Sequence, residues 1–575
     1  RGEVMHCIGI DLGTTNSLVS YWDETEGKVK LIPNEFGDTL TPSVVGFPKG
    51  AEVLVGKAAK EMLINEPDRA FREFKRDMGT KTKYRVDRKS YLPEELSSFV
   101  LRQLKQDAEA YFGEPVDEAV ISVPAYFTDK QRCATRVAGQ LAGLSVKRII
   151  NEPSAAALSY HVDRMADHAV YLISDFGGGT LDISIVEAFD NIVEIRAVAR
   201  DNKLGGKDFN DAIVDCFCAE NRLNRKKLGK EQIELLYKEA EDLKKCLSVQ
   251  DSVERSIVLD GQNMVLSLTR AQLKKQADFV FRRMLEPIQK AVTMSGFSLS
   301  EIDQVILVGG SSKMPLVQEF MRSIFHERVQ VDKNPDEIIA LGVGTAVGIK
   351  ERKAGIKDML LSDICPFSLG TCVSDGSFAV HIEKNVILPY SRTRMYTTVE
   401  DNQRRIAFPI YQGENMIAKA NELLDEIRID IPPRPAGEIQ VEVTFSYDIN
   451  GIFDVDIECR DCDVNIHRSL VVGNMGMSAD ELKERKDRLE NLKIQNDIVM
   501  KSNYLVYRAN RMYQEAGESE KQILLEEMRK YRAIQQNETD PKLRRESIVK
   551  FTMLLDMLEQ EKETINADQF WKEDE

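Results

Sequence analysis

Two distant stretches of the chain share one design. Residues 8–23 read IGIDLGTTNSLVSYWD and residues 172–190 read LISDFGGGTLDISIVEAFD. Each is an apolar run, an aspartate, a turn of glycine and threonine, and a second β-rich run, the pattern of a β-hairpin. Taken alone, either turn reads equally as an ordinary hairpin end or as a cradle for an anion. Glycines let successive backbone N–H groups converge, because no Cβ intervenes and positive φ is allowed. Threonine hydroxyls add donors, and carboxylates at strand ends suit a hydrated Mg2+ that bridges phosphate oxygens. Two such hairpins at corresponding places predict paired loops facing one cleft. Asp11, Thr14 and Thr15 on one side, with Asp175, Gly177, Gly178, Gly179, Thr180 and Asp182 on the other, fit a clamp for a Mg-nucleotide. The sequence GxxxxGK[ST] does not occur, so this is not a Walker loop.

The rest of the chain places that clamp in a multidomain α/β protein. The first ~350 residues alternate strand-like and helix-like runs, such as EAVISVPAYF, TDKQRCATRVAGQLAGL and VKRII, an α/β signature. ILVGGSSKMP, residues 306–315, reads as a strand, a Gly309-Gly310 turn open to a ribose or base, and a helix start. From about residue 364 to 472 the pattern changes to period-two alternation, with Asn450-Gly451 as a hairpin signal, and predicts an all-β domain. Beyond it Ser478 and Glu481 have capping-box spacing. Leu524, Met528 and Tyr531, then Ile548, Phe551, Leu555 and Leu558, recur at helical steps and predict a helical bundle.

Composition removes several alternatives. The net charge is 78 − 94 = −16, which disfavours nonspecific binding to nucleic acid or anionic membrane. No apolar run reaches the ~18 residues of a membrane span. The nine scattered cysteines predict reduced thiols in a cytoplasmic protein. CRDC, Cys459 to Cys462, is the one pair at redox or metal spacing, and without a second pair it reads as structural. The six histidines form no HExxH-type cluster.

The motifs IGIDLGTTNS, VISVPAYF, NEPSAAAL, DFGGGTLDIS, LGGKDFN, ILVGGSSKMP and NPDEIIALG stand in the order seen in DnaK-type heat-shock chaperones, the seventy-kilodalton class. The resemblance covers about residues 5–475. It implies an actin and sugar-kinase-like duplicated ATPase domain (1–353), a linker (354–363), a β-sandwich peptide-binding domain (364–475) and a short α-helical lid (476–575). By resemblance, Asp11, Asp175 and Asp182 surround Mg2+ and a monovalent cation, K+. Gly13, Thr14, Thr15, Gly177 to Thr180, Gly205 and Gly206 hold phosphates of ATP or ADP. Lys75 contacts the terminal phosphate or attacking water, and Glu152 joins that network, with Asp175 and Thr180. Glu241, Lys244, Lys245, Ser248, Gly309, Gly310, Ser311, Lys313 and Asp336 surround adenosine. Lys245 and Lys313 stand where many relatives have base-stacking arginines, and lysine lacks the planar guanidinium.

Pro124 and Arg132 match relay positions between nucleotide and linker. KDMLLSDICP resembles the family's acidic-apolar linker, with Ser362 for a usual leucine, and offers Asp358, Leu360 and Leu361 for docking. Leu369, Thr371, Tyr396, Val399, Ile406 and Phe408 match the peptide cleft, although Ile406 and Phe408 are also readable as sandwich core. Thr371 and Ser374 replace larger apolar residues there, and Pro409 predicts an edge or bulge. These departures and the short helical part resemble the specialised bacterial HscC-type branch. The implied function is ATP-driven binding and release of extended client peptides, with a J-domain co-chaperone and a nucleotide exchange factor as partners. A small-molecule kinase of the same superfamily would need neither linker nor β-cleft. A weakly hydrolysing regulator would not need the Asp11, Lys75, Glu152, Asp175 and Thr180 set.

Overall fold

The computed structural model describes residues 6–50, 52–164, 168–189, 192–259, 262–331, 334–353, 356, 360–362, 364–448, 453–462, 464–469, 479–495 and 497–570. Both predicted hairpins form. His6–Leu12 pairs antiparallel with Asn16–Asp23, and His168–Phe176 with Leu181–Phe189, with Asp175 opposite Asp182. Each hairpin is the centre of the same five-strand arrangement. In the first sheet the order is Ser145–Asn151, Val116–Val123, the hairpin, then Lys28–Ile32. In the second it is Val329–Val331, Gln304–Val308, the hairpin, then Ile192–Asp201. The inner two strands on one side run parallel to the first hairpin strand in both sheets. This repeat is the duplication that the two loops announced.

The helices Glu152–Arg164 and Ile338–Lys350 cross where the two halves meet. A Cβ on Gly342 would lie 1.7 Å from Ala155 O, so the crossing depends on a residue without a side chain. Ser20 Oγ donates to Ala340 O at 2.7 Å, tying the same helix to the first hairpin.

Residues 364–469 form two packed four-stranded sheets. One runs Phe378–Ile382, Leu369–Cys372, Arg405–Gln412, Glu422–Asp430; the other Tyr390–Thr397, Gln440–Tyr447, Phe453–Cys459, Val464–Ser469. Alternating residues such as Val441, Val443, Phe445, Val455 and Ile457 fill the space between them. Pro409 sits inside its strand, one residue from a register shift between Ile410 and Tyr411. The Asn450-Gly451 turn, Ser478 and Asp358 lie outside the described residues. CRDC departs from the expectation of reduced thiols throughout: Cys459 and Cys462 are joined as a disulfide, while the other seven cysteines are not disulfide-bonded.

Four helices follow, Ala479–Glu490, Asp497–Glu515, Glu518–Asn537 and Pro541–Phe570. Leu524, Met528, Tyr531, Phe551, Leu555 and Leu558 make their common core with Leu505, Ala509 and Met512, as the periodicity predicts. Leu489, Ile494 and Met500 instead join the core of the first lobe. Val53 N donates to Lys493 O at 2.9 Å, and Arg102 Nη1 donates to Leu489 O at 3.1 Å. Arg511 Nε meets Glu61 Oε2 at 3.0 Å on the Lys57–Asn65 helix. The helical end is therefore docked on the first lobe.

The crossing yields a test of the fold. Gly342→Ala would force the two helices apart, and overpacking of this kind costs about 1–3 kcal/mol or more. Scanning calorimetry should show earlier melting; an unchanged transition would mean the crossing tolerates the displacement.

Candidate functional site

The two hairpin turns meet at the base of a cleft between the lobes. Asp11, Gly13, Thr14, Thr15, Lys75 and Glu152 line it with Asp175, Gly177 to Thr180, Gly309, Gly310 and Asp336. The turns approach so closely that a Cβ on Gly178 would lie 2.4 Å from Thr15 Oγ1. Gly309 has φ +83°, and a side chain there would meet Asp175 Oδ1 and Phe176 O at 2.7 Å each. Backbone bonds lock the second loop to the Gly206–Glu220 helix start: Gly206 N to Gly177 O, 3.0 Å, and Lys207 N to Gly178 O, 2.9 Å. Ser311 Oγ donates to Gly177 O at 2.8 Å, and Lys244 Nζ to Gly206 O at 3.1 Å. Gly205, Gly206, Gly309 and Ser311 are thus parts of one wall around the second turn.

Lys75, only 4% exposed, donates to Glu152 Oε1 at 2.7 Å and lies 5.6 Å from the Phe127 ring centre. Ser122 Oγ donates to Asp11 Oδ1 at 2.7 Å. Asp182 Oδ1 accepts no hydrogen bond, with Arg200 Nε 3.4 Å away. Burial, then Glu152, pushes the Asp11 carboxyl up to about 6, against Lys75 and the Ser122 hydrogen bond. Burial also lifts Asp182 to about 6 despite Arg200. Asp175 stands well above the usual range, through burial and then Glu152, Asp182 and Asp11. This is an excess of buried negative charge with an unbonded oxygen, which suits a cation. Among the described residues no three His, Cys, Asp or Glu side chains converge as a cage for a bare metal ion. A hydrated Mg2+ held through its waters and substrate phosphates meets both conditions.

Farther out, the Lys230–Val249 helix carries the predicted adenosine group. Burial opposes charge on Glu241, but Lys60, Lys245 and Lys244 outweigh it and hold the carboxyl at about 2. Burial lowers Lys244 to about 8, opposed by Glu241. Lys245 Nζ is 3.0 Å from Glu241, and Lys313 Nζ 2.8 Å from Asp336, so both substituted lysines are engaged in ion pairs at the rim. Ser248 Oγ donates to Lys244 O within the helix. Across the rim the lobes are bridged by Lys60–Glu241 at 3.6 Å, Arg72–Glu234 at 3.0 Å and Lys207–Glu73 at 3.7 Å.

The relay residues sit between this cleft and the sandwich. Pro124 lines the cleft. Thr128 and Gln131 form a capping box that starts the Asp129–Leu141 helix and aims Arg132 back at Phe127 O, Ala125 O and Asn151 Oδ1. Leu360 and Leu361 lie in a strand, Leu360–Ser362, added in parallel to the edge of Ile192–Asp201; their side chains lie outside the described residues. Asp129, in TDKQR, carries no motif that marks it as a contact residue in the sequence. Its carboxylate accepts from Gln412 Nε2 and Tyr447 OH at 2.8 Å each, and its N–H donates to Gln412 Oε1 at 3.1 Å.

The candidate peptide residues are less unified. Leu369, Thr371 and Phe408 are buried; Tyr396 and Ile406 are half-buried at the core edge; Val399 is 59% exposed. Thr371 Oγ1 donates to Pro409 O, 2.9 Å. His381, not singled out in the sequence, bonds Tyr396 OH through Nε2 at 2.7 Å and stacks on Phe445 at 4.0 Å. Burial pushes its imidazole down to about 4.

Comparison with known proteins agrees with this architecture. The family model described as "Hsp70 protein" matches residues 7–574. "Chaperone protein DnaK" of Thermotoga petrophila is 36% identical over 578 residues, 96% of this chain and 95% of the relative. The protein of that name from Thermotoga maritima has the same identity and coverage. That of Thermotoga neapolitana is 37% identical over 532 residues, 89% of each.

The buried carboxylates predict a pH signature for the nucleotide- and metal-free chain. Asp11 and Asp182 hold protons in the folded state up to about pH 6, whereas unfolded aspartates lose them near 4. The stability they contribute is present below pH 4 and lost as pH rises through about 6. Asp182→Asn should therefore gain roughly 1–3 kcal/mol over wild type at pH 7.5 and nothing at pH 4, read from melting curves in chelator. A difference independent of pH would contradict the assignment.

Proposed function

The chain belongs to the Hsp70 protein family, and from that premise we propose how its residues divide the work. It is a DnaK-like ATP-dependent chaperone, an ATPase that binds client peptides. We assign hydrolysis to the base of the cleft, and one observation carries this: the buried Lys75–Glu152 pair stands beside two buried aspartates, Asp11 and Asp182, and the half-buried Asp175. The two turns and the 205–206 backbone cradle the phosphates. Lys75, held by Glu152, orients the terminal phosphate and the attacking water, with Asp175 and Thr180 beside them. Mg2+, when bound near Asp11, Asp175 and Asp182, supplies positive charge to the phosphate oxygens, and K+ is proposed at the same carboxylates. Catalysis of this kind is mostly positioning and electrostatic stabilisation. Glu241, Lys244, Lys245, Ser248, Ser311, Lys313 and Asp336 form the adenosine side.

We place the domain limits at 353, 363 and 475, with client peptides bound by the sandwich near Tyr396, Val399 and Ile406. Coupling runs from Pro124 and Arg132 to the linker and, through Asp129, to Gln412 and Tyr447. The J-domain partner, the exchange factor, a cytoplasmic setting and membership of the HscC-type branch are part of this proposal. The branch assignment rests on Lys245, Lys313, Thr371 and Ser374.

Two measurements test the assignment. Lys75→Ala should lower single-turnover hydrolysis by about 10²–10³ while sparing nucleotide binding; unchanged turnover would remove Lys75 from the chemistry. An apolar peptide should stimulate the wild-type ATPase several-fold, and Leu360→Asp should abolish that stimulation. Equal stimulation in both would exclude the linker strand as the coupling element.

A further inference from the structure

CRDC is the one chemically distinctive motif that neither the nucleotide cleft nor the peptide assignment uses. Its cysteines end the Phe453–Cys459 strand and its following turn, Arg460–Cys462. The Cα atoms are 5.4 Å apart, within the usual span of a disulfide, and three residues separate the partners in sequence. Their accessibilities differ. Cys459 is 1% exposed, packed in the sandwich core, whereas Cys462 is half-buried at its edge. Between them Arg460 points outward, 3.6 Å from Glu442. The other cysteines are not disulfide-bonded, and none of them shares this spacing.

The position is also informative. Cys459 pairs with Val464 on one side, and the Glu442–Glu458 pairing sets it beside Val441 on the other. Val441 in turn pairs with Tyr396. The cysteine pair thus lies in the same cross-strand row as one of the residues proposed to face the client, away from the Asp129 contact at Tyr447.

We propose that Cys459 and Cys462 form a reversible thiol–disulfide exchange site whose reactant is a low-molecular-weight disulfide. In the oxidising direction the Cys462 thiolate, the accessible sulfur, attacks one sulfur of the small disulfide; that S–S bond breaks and one thiolate leaves. The Cys459 thiolate then attacks the Cys462 sulfur and expels the second thiolate. Two electrons pass from the pair to the reactant, and the two cysteine protons end on the two released thiols. The reverse sequence, with a small thiol as reductant, reopens the pair. A turn that holds its two cysteines at bonding distance favours closure over a lasting mixed disulfide.

The test uses the full chain equilibrated in glutathione buffers of graded redox ratio, quenched in acid, denatured, alkylated and weighed intact. We expect nine alkylated thiols under reducing conditions and seven under oxidising ones, with the loss mapping to a Cys459–Cys462 peptide and reversing on reduction. Cys459→Ser should instead accumulate one glutathione on Cys462. Cys462→Ser, the less buried change, should keep eight thiols at every ratio. Nine thiols at all ratios, loss at other cysteines, or an adduct on Cys459 rather than Cys462 would overturn the proposal. The readout is independent of ATP and client, so its failure would leave the chaperone assignments standing.

Discussion

Three buried carboxylates, Asp11, Glu152 and Asp182, and the half-buried Asp175 surround one lysine, and much of the ATPase unit is arranged to keep them there. Unpaired charge inside a protein is expensive, and groups in that position shift their pKa or find a partner. Glu152 takes Lys75, Asp11 takes the Ser122 hydroxyl, and Asp182 has Arg200 nearby. Asp175 has Glu152, Asp182 and Asp11 around it, and burial together with these neighbours raises its carboxyl against the pull of Lys75. The site is therefore rich in negative charge, and its aspartates are held above their usual range. A cation held among these carboxylates would relieve their repulsion. The cross-cleft pairs at the rim, such as Arg72–Glu234 and Lys60–Glu241, are more exposed. Pairs of that kind are worth little individually, so they guide closure more than they enforce it.

Contact between the two turns explains why the glycines matter more than the hydroxyls. At Gly178 a methyl would occupy the space of Thr15 Oγ1, and at Gly309 it would collide with Asp175. The turns can share one phosphate-sized volume only because these positions leave space. That much was legible in the sequence, since a hairpin, an acidic residue and a glycine turn are local patterns that repeat once. The helical core at Leu524, Met528, Phe551 and Leu555 was legible for the same reason, being periodic. Phe408 was readable as cleft or core because alternation fixes which side of a strand a residue takes, while the packing partner is set by the other sheet. It lies in the sandwich core.

What could not be read is polar, aperiodic and far apart along the chain. Asp129 meets residues 283 and 318 positions away. The docking of the helical end uses Val53, Arg102 and Glu61, none of which belongs to a motif. No local rule marks a helix-start aspartate as an interdomain acceptor, because its ordinary role is to sit at a helix N-terminus. CRDC was visible as spacing, but spacing alone cannot say whether two sulfurs face each other.

The chemistry of that interdomain contact is partly polar. Burial pushes the Asp129 carboxyl up, while Tyr447 and then, beside Arg132, Gln412 draw it down. Removing one donor from a buried acceptor leaves a costly unsatisfied group. Separating the two surfaces is different, because water then reaches Asp129, Gln412 and Tyr447 together and replaces every bond at once. An apolar joint of equal area would resist opening in proportion to that area. The joint combines both kinds of contact: beside Asp129 and its donors stand the Lys130–Glu422 ion pair at 3.0 Å and the Tyr126–Phe367 ring contact at 6.0 Å, and the polar part is the part that water can replace bond for bond. The added linker strand has the same property: its backbone bonds to the Ile192–Asp201 edge can be traded for solvent. The Asp129 bonds and the linker strand's backbone bonds are thus the polar, water-exchangeable share of the contacts around this joint.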